Sequence, residues 1–248
     1  MKTLGIIPAR YASTRFPGKP LVDIAGKTMI QRVFEQASKA FNHVIVATDD
    51  IRILDAVENF GGIAIMTSEN HLNGTSRCFE AMNIFLEKMN LKFDVVVNIQ
   101  GDEPLINPQA LKDVASLFED DRTEIATLIN KVEYSDELLN PNRIKVVIDK
   151  NQRGIYFSRS LIPYVREKSN YPKTIFYSHI GVYAYRSDIL EEVSQLAPGM
   201  IETAESLEQN RWIENGYYIK TKITDYKSVG VDAPEDIEEI LKLLSNIG

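Results

Sequence analysis

TLGIIPARYASTRFPGKP, residues 3–20, joins a short apolar run to a polar loop that holds three cations. The apolar part, Thr3–Pro8, predicts a buried strand, and Ala9–Pro20 predicts a loop at the carboxyl end of that strand. Ligands of open α/β sheets bind beyond the carboxyl ends of the strands. The loop therefore lies where such a protein would bind a polyanion.

The loop has the side chains that phosphate binding requires. Arg10, Arg15 and Lys19 would neutralise phosphates, and backbone N–H groups near Ser13 and Thr14 could also donate. The loop is not a Walker loop, because the G-x-x-x-x-G-K-[ST] spacing is absent. The alternative is a solvated basic loop, since charge clusters usually face water.

Outward from this loop, the first half of the chain alternates strand and helix patterns. The predicted strands are His43–Ala47, Ile63–Met66 and Phe93–Asn98, and the predicted helices are Met29–Ala40, Ile51–Phe60 and Thr75–Met89. Continuous apolar strands separated by helices predict a parallel sheet covered on both faces.

The second half is less regular. Its predicted strands are Glu124–Val132, Ile144–Ile148, Phe176–Tyr185 and Tyr217–Thr224, with a helix at Ala204–Asn215 and a last helix that begins at Pro234. We predict an α/β fold with an open, mostly parallel, Rossmann-like sheet. A smaller α+β lobe is inserted at roughly residues 130–225 of a single domain, 1–248.

Composition narrows the classes of function. The 248 residues carry a net charge of −7, which gives no general attraction for a nucleic-acid backbone. The single cysteine, Cys78, excludes an intrachain disulfide. The sequence shows neither a signal peptide nor an apolar run long enough to span a membrane. We expect a cytoplasmic protein.

Two aspartates follow apolar strand patterns and are candidates for binding a metal. Asp102 lies in the run QGDEP, and Asp232 ends the run VGVD. Magnesium takes oxygen ligands, usually one or two carboxylates together with phosphates and water. Each aspartate has a simpler alternative, and Asp232 could cap the helix that follows it. Glu103 is interpreted as a supporting or structural residue.

The run PARYASTRFPGKPL, residues 8–21, resembles the signature of sugar nucleotidyltransferases, and its wording is similar to that of the 3-deoxy-manno-octulosonate cytidylyltransferases. Further runs match the same family in register: ATDD (47–50), NGTSRC (73–78), NIQGDEPLI (98–106), YFSRSLIP (156–163), HIGVYAYR (179–186), ESLEQNRW (205–212) and GVDAPED (230–236). The resemblance covers essentially the whole chain. Relatives that activate nonulosonic acids share the fold, but the QGDEP and ESLEQ runs are not typical of them.

The resemblance implies an enzyme that transfers CMP from CTP to 3-deoxy-D-manno-octulosonate and releases pyrophosphate. The product is the activated sugar for lipopolysaccharide biosynthesis. Magnesium held by Asp102 and Asp232 is the implied cofactor, and the implied catalytic residues are Arg10, Lys19, Asp102 and Asp232. The implied nucleotide contacts are Arg10, Ser13, Thr14, Arg15, Lys19, Thr75 and Gln100. The implied sugar contacts are Arg77, Gln100, His179, Tyr183, Glu208 and Gln209.

Several alternatives stay open on the sugar side. His179 could be structural, and Glu208 could pair with Arg211 or Arg186. We expect Tyr183 and Tyr185 to point to opposite faces of their strand, so that only one lines a pocket. Trp212 is expected in the core or at a subunit contact.

The family resemblance also implies a homodimer, and the apolar strand Phe176–Tyr185 offers a surface for pairing. Three residues depart from the usual family wording: Ser76, Ser178 and Asn210. We hypothesise that the two serines replace an interacting acid and base near the sugar.

Two rival functions follow from these observations. The first is the same chemistry on another acid sugar, an 8-amino variant or a nonulosonate. The second is a non-catalytic nucleotide-binding protein. Loss of Lys19, Asp102 or Asp232 would favour the second, and all three are present.

Overall fold

The structure, a computed structural model, describes residues 1–12 and 16–246, so Ser13, Thr14 and Arg15 lie outside the described residues. The chain divides into two compact units. The first consists of Met1–Lys112 and Ser228–Gly248, and the second of Asp113–Lys227. The expected lobe at roughly 130–225 falls within the second unit.

The described strands and helices lie in the order that follows. The strands are β1 (Thr3–Ala9), β2 (Asp23–Ile24), β3 (Lys27–Thr28), β4 (His43–Thr48), β5 (Ala64–Met66), β6 (Val95–Asn98), β7 (Ile125–Val132), β8 (Lys145–Ile148), β9 (Arg153–Ser158), β10 (Phe176–Arg186) and β11 (Ile219–Ile223). The helices are α1 (Met29–Ser38), α2 (Ile51–Asn59), α3 (Gly74–Met89), α4 (Pro108–Ser116), α5 (Ser187–Ser194), α6 (Met200–Glu205), α7 (Gln209–Glu214) and α8 (Ile237–Ser245).

In the first unit, β1 lies between β4 and β6, and β5 extends the sheet beyond β4; all these pairs are parallel. Leu4, Ile6 and Ile7 of β1 have no exposed surface, as expected for a strand covered on both faces. Burying each such side chain contributes about 1.5–3 kcal/mol. The apolar run at the start of the sequence therefore forms a central strand, and it fixes where the following loop leaves the sheet.

The second unit has a mixed sheet. Strand β7 pairs antiparallel with β10 and parallel with β11, and β9 pairs antiparallel with both β11 and β8. The prediction of a mostly parallel sheet therefore holds for the first unit and not for the second. No helix in the described part of the chain is long and apolar enough to cross a membrane.

The predicted helix Ala204–Asn215 is wrong. The segment forms two short helices, α6 and α7, which are separated by Ser206 in the left-handed conformation (φ 51°). The break has a non-local cause, because the carboxylate of Glu205 accepts hydrogen bonds from β9 and from the residue after it. A pattern of side chains along one helix cannot reveal that contact.

Candidate active site

A cavity of about 410 Å³ lies beyond the carboxyl end of β1 and is lined by residues of the first unit alone. Its polar lining is supplied by Arg10, Lys19, Asn73, Arg77, Gln100 and Asp102. Thr75, also expected at the nucleotide, is buried next to Gly74, which lines the cavity. The structure thus brings the described part of the cationic loop together with the NGTSR and QGD runs.

Lys19 links three segments of the chain. Its Nζ lies 2.7 Å from Oδ2 of Asp102 and donates to the carbonyl of Val231 at 2.9 Å. The Val231 N–H in turn donates to the Asp102 carbonyl at 2.9 Å. The loop, the QGDEP run and the GVD run therefore meet at one ammonium group.

A glycine turn presents Lys19 to the cavity. Gly18 has a φ of 73°, and its N–H donates to the Tyr11 carbonyl at 2.9 Å. A Cβ on Gly18 would lie 3.2 Å from the Tyr11 ring, so both the dihedral and the space favour glycine. Tyr11 is itself covered by the guanidinium of Arg52, 3.3 Å from the ring centroid.

Arg10 is exposed, and its Nη1 donates weakly to the carbonyl of His71 at 3.4 Å. The imidazole of His71 bridges Glu80 and Ser76, with 3.0 Å between Nδ1 and the Ser76 hydroxyl. The side chain of Arg10 therefore lies beside an organised segment, and its other donors have no partner among residues 1–12 and 16–246.

The N-terminus of α3 also lines the cavity. The Asn73 side chain caps the helix by accepting from the Ser76 N–H at 2.9 Å. The remaining N–H groups of the first turn and the helix dipole favour an anion there. Nearby, a Cβ on Gly101 would approach the Pro8 carbonyl to 2.8 Å, so the close contact between these two segments requires glycine.

Arg77 lines the cavity with a buried side chain that two hydrogen bonds hold in place. It is 1% exposed, and its guanidinium donates to Asp49 Oδ2 at 2.6 Å and to Thr67 Oγ1 at 2.7 Å. Asp49 and Thr67 were not predicted as site residues. The signal for Asp49 was its place at the end of the β4 strand, within the ATDD run.

A backbone hydrogen bond brings the segments of the two candidate metal ligands, Asp102 and Asp232, next to each other. The Val231–Asp102 hydrogen bond places residue 232 next to Asp102, and the carboxylate of Asp236 holds the turn by accepting from the N–H groups of Asp232 and Ala233. Among the described residues, no group of three or more His, Cys, Asp or Glu side chains is arranged to hold a metal. Two carboxylates fit magnesium that arrives with substrate phosphates. Glu103 is buried, as expected for a structural residue.

The other four predicted sugar contacts lie in the second unit. His179 is half-buried, and loss of solvent around its ring lowers its pKa to about 3, so the imidazole is neutral near pH 7. Its Nε2 lies 3.0 Å from Oγ1 of Thr127, whose hydroxyl proton is directed to the carbonyl of Val182 at 2.7 Å. Thr127 therefore accepts from Nε2–H, which leaves Nδ1 of His179 as an acceptor. Thr127 was not predicted; its signal was one hydroxyl within an apolar strand.

Tyr183 and Tyr185 point to the same face, which corrects the expectation of opposite faces. Their rings lie 5.0 Å and 5.4 Å from the Trp212 ring, and residues two apart on a strand share a face. Trp212 is buried in the core, which was one of the two placements expected for it; the other was a subunit contact. Tyr183 Oη and Trp212 Nε1 are buried without a hydrogen-bond partner among the described residues.

Glu208 and Gln209 lie at the start of α7, and Gln209 is buried. Burial, with Tyr185 and Glu208, raises the pKa of Tyr183 well above its usual value. Arg211 forms a salt bridge with Glu202, and Arg186 forms one with Asp188. The hydrogen bond from Arg211 to Glu202 raises the pKa of Arg211, and the charge of Glu208 adds to this effect, so Glu208 does interact with one of its two expected partners.

The three departures from the family wording have local partners. Ser76 contacts His71, and Ser178 Oγ accepts from Arg143 Nε at 3.3 Å. Asn210 is buried and makes a two-way amide bridge to the backbone of Phe157, which docks α7 on β9. The proposed coupling between the two serines stays a prediction.

A parallel α/β sheet whose strands end at a cationic cavity and a helix N-terminus defines a nucleotide-binding α/β protein. Residues 4–225 match the family model described as Cytidylyltransferase. Relatives named 3-deoxy-manno-octulosonate cytidylyltransferase include those of Parabacteroides distasonis, 53% identical, and Bacteroides thetaiotaomicron, 51% identical, each aligned over 99% of both chains. The chain belongs to the cytidylyltransferase family, among the relatives with that name.

Comparison with solved structures agrees with this family assignment. One of CMP:2-keto-3-deoxy-manno-octonic acid synthetase complexed with CTP has a TM-score of 0.91 and 41% identity, over 100% of both chains. A cytidylyltransferase from Leptospira borgpetersenii has a TM-score of 0.63 at 19% identity, over 99% of this chain and 87% of its own, and it supports the fold alone.

Proposed function

We propose that this protein transfers CMP from CTP to 3-deoxy-D-manno-octulosonate, giving the CMP-sugar and pyrophosphate and so activating the sugar for lipopolysaccharide biosynthesis. The observation that carries the proposal is the cavity that joins Arg10, Lys19 and Asp102, in a chain that aligns end to end with relatives of that activity's name.

The reaction is a displacement at the α-phosphorus of CTP. The anomeric oxygen of the sugar forms a bond to phosphorus, the bond to the bridging oxygen of the β-phosphate breaks, and the hydroxyl proton is released. Arg10, Lys19 and the first turn of α3 stabilise the negative charge that accumulates on the leaving pyrophosphate. Such catalysis consists mainly of positioning and electrostatic stabilisation.

Magnesium fits the donor set of Asp102 and Asp232, and when bound there it would supply a Lewis acid for the phosphate oxygens and the attacking hydroxyl. Lys19 now neutralises Asp102, whose side chain is 32% exposed. Because that carboxylate is accessible, it can exchange the lysine for another cation, which frees the ammonium group to bind phosphate.

For the sugar, we propose contacts from Arg77 and Gln100 in the first unit and, separately, from four residues of the second unit: His179, Tyr183, Glu208 and Gln209. The buried Tyr183 hydroxyl, which has no hydrogen-bond partner among the described residues, supports this assignment, since a buried polar group left without a partner requires an explanation and a sugar hydroxyl would supply one. Neutral His179 would accept a sugar hydroxyl at Nδ1. The buried, single Cys78 supports a reducing, cytoplasmic compartment.

Pyrophosphate release, measured over a matrix of the four nucleoside triphosphates and several acid sugars, tests the proposal. We expect release with CTP and 3-deoxy-D-manno-octulosonate, and much slower release with an 8-amino variant or a nonulosonate. A preference for ATP or GTP would overturn the assignment of the nucleotide. A preference for another acid sugar would overturn only the assignment of the sugar.

A further inference from the structure

A second cavity, of about 240 Å³, lies in the second unit and has no part in the proposed reaction. Its charged lining consists of Arg122, Arg153 and Lys220 against one carboxylate, Asp120. None of its lining residues lines the cavity of the first unit.

Two of these cations oppose each other across a pair of strands. Lys220 of β11 is the direct register partner of Arg153 of β9. Like charges in directly opposite positions destabilise an antiparallel pair. Neither side chain forms a salt bridge with a described residue. The charge of Asp149 acts on Arg153 and that of Asp120 acts on Lys220 without direct pairing, and the Asp149 carboxylate also accepts the backbone N–H groups of Asn151 and Arg153. An anion bound between the two cations would relieve this repulsion.

The site is also partly organised for an oxyanion. The Arg153 guanidinium stacks on Tyr218, 4.2 Å from the ring centroid, and this contact fixes its plane. Its side-chain N–H groups donate to no described protein group, so the edge that binds oxyanions in a two-pronged manner is available. Lys220 is anchored by one donation, to the Asn151 carbonyl at 2.8 Å, and keeps its other protons.

The remaining cation contributes less. Arg122 is bound by both its Nε and its Nη2 to Asp120, at 2.9 Å each. This guanidinium lowers the pKa of Asp120 to about 2, so the carboxylate stays ionised and largely neutralises Arg122. The net attraction for an anion therefore comes from Arg153 and Lys220.

We propose that this cavity binds a small phosphate-bearing ligand between Arg153 and Lys220. Its volume is below the roughly 300–1,000 Å³ of sites that enclose drug-sized molecules. The ligand is therefore of the size of inorganic phosphate, pyrophosphate or a short phosphomonoester, and a whole nucleoside triphosphate exceeds it.

Backbone amide NMR of the full chain, titrated with inorganic phosphate and separately with pyrophosphate, tests the proposal at constant ionic strength set by sodium chloride. The amides of residues 151–153 and 218–220 should shift and saturate. Lys220→Gln and Arg153→Gln should each weaken binding on the order of tenfold, because each removes one charged hydrogen-bonding partner of the anion. Lys220→Arg should keep it.

Lys222→Gln is the matched control, because Lys222 lies on the same strand but is paired with Asp113, 2.9 Å away. It should bind phosphate as the wild type does. Phosphate should also raise the melting temperature of the wild type more than that of Lys220→Gln, since a ligand stabilises the state that it binds. Shifts confined to the first-unit cavity, or equal affinity in Lys220→Gln and the wild type, would overturn the proposal. The two titrants distinguish a site for phosphate in general from one for the reaction's own product.

Discussion

At the scale of single residues, the ammonium group of Lys19 is the most informative contact. It binds Asp102 and the Val231 carbonyl, and so joins the three sequence runs that carry the phosphate and metal proposals. Its environment separates two interpretations of the loop. A solvated basic loop would leave Lys19 in water, whereas the observed side chain is only 16% exposed.

Lys19→Ala should slow turnover by on the order of two powers of ten or more, the loss typical when one preorganised charge-stabilising group is removed. The reason is that the substituted loop loses the charge closest to Asp102. The measurement is kcat at saturating CTP. The control is Lys39→Ala, because Lys39 is an exposed lysine just after the end of α1. Unchanged turnover in Lys19→Ala would show that the loop does not contact the phosphates.

Asp102→Asn should abolish turnover while the fold is kept, because the amide cannot supply the charge that magnesium requires. Binding of Mn²⁺, followed by electron paramagnetic resonance with CTP present, should weaken in parallel. Asp113→Asn is the matched control, since this aspartate pairs with Lys222 away from the cavity. Near-normal turnover or unaltered Mn²⁺ binding would remove Asp102 from the metal site.

His179 should make stability depend on pH. Burial lowers its pKa in the folded state to about 3, whereas an unfolded histidine titrates near 6.5. Between these values the unfolded state binds a proton that the folded state does not. The free energy of unfolding should therefore fall as pH drops through this window, by at most about 1.4 kcal/mol per pH unit from this residue. Urea unfolding at two pH values should show a smaller difference for His179→Asn; an equal difference would contradict the assignment of a neutral His179 in the folded state.

At the scale of elements, the sequence predicts strands and helices correctly where buried apolar residues recur at a regular spacing. The strands and helices predicted between Thr3 and Asn98 appear within one or two residues of their predicted bounds, since apolar runs bounded by turn residues favour buried strands. The short strands β2 and β3 and helix α4 were not predicted, and α8 begins at Ile237 instead of Pro234. β9 was missed because its polar and glycine positions, Arg153 and Gly154, interrupt any alternation. It pairs with β8, the strand just before it, and with β11, which is distant in sequence.

The candidate site could also be predicted only in part from the sequence. Charged residues at strand ends, such as Lys19 and Asp102, could be found because topology brings strand ends together. The partner that orients His179 could not be predicted, since the hydrogen bond between His179 and Thr127 spans 52 positions and lies beside a register shift between β7 and β10. Local patterns carry no record of such contacts.

Glu205 holds the break between α6 and α7, and its removal should destabilise the second unit. Its carboxylate accepts from Tyr156 Oη at 2.7 Å, Ser158 Oγ at 2.6 Å and the Arg159 N–H at 2.9 Å. Burial alone would raise the pKa of Glu205, but these hydrogen bonds lower it below its usual value. Glu205→Ala should cost on the order of 2 kcal/mol in chemical unfolding, because three donors lose their acceptor.

The same substitution should raise the KM for the sugar more than that for CTP, since Glu208 and Gln209 follow the break directly. Glu191→Ala, on the exposed side of α5, is the control. Wild-type stability in Glu205→Ala would mean that the break is held by other contacts.

At the scale of the whole molecule, the surface first expected to pair two copies is not available. Phe176, Ile180, Val182 and Ala184 of β10 are buried within the second unit. A homodimer must therefore use other apolar groups. Among the described residues of that unit, the largest exposed fraction of an aromatic side chain belongs to Tyr164, at 85%.

We still expect a homodimer, because the family resemblance implies pairing. Sedimentation at micromolar concentration should give one species of twice the 28.1 kDa chain mass. Tyr164→Glu should weaken the dimer, since it places a charge on the exposed apolar group of the second unit. Leu72→Glu is the matched control, an equally exposed apolar position, 87%, in the first unit. A species of single-chain mass in the wild type contradicts the dimer; equal dissociation of the two variants contradicts only its placement at Tyr164.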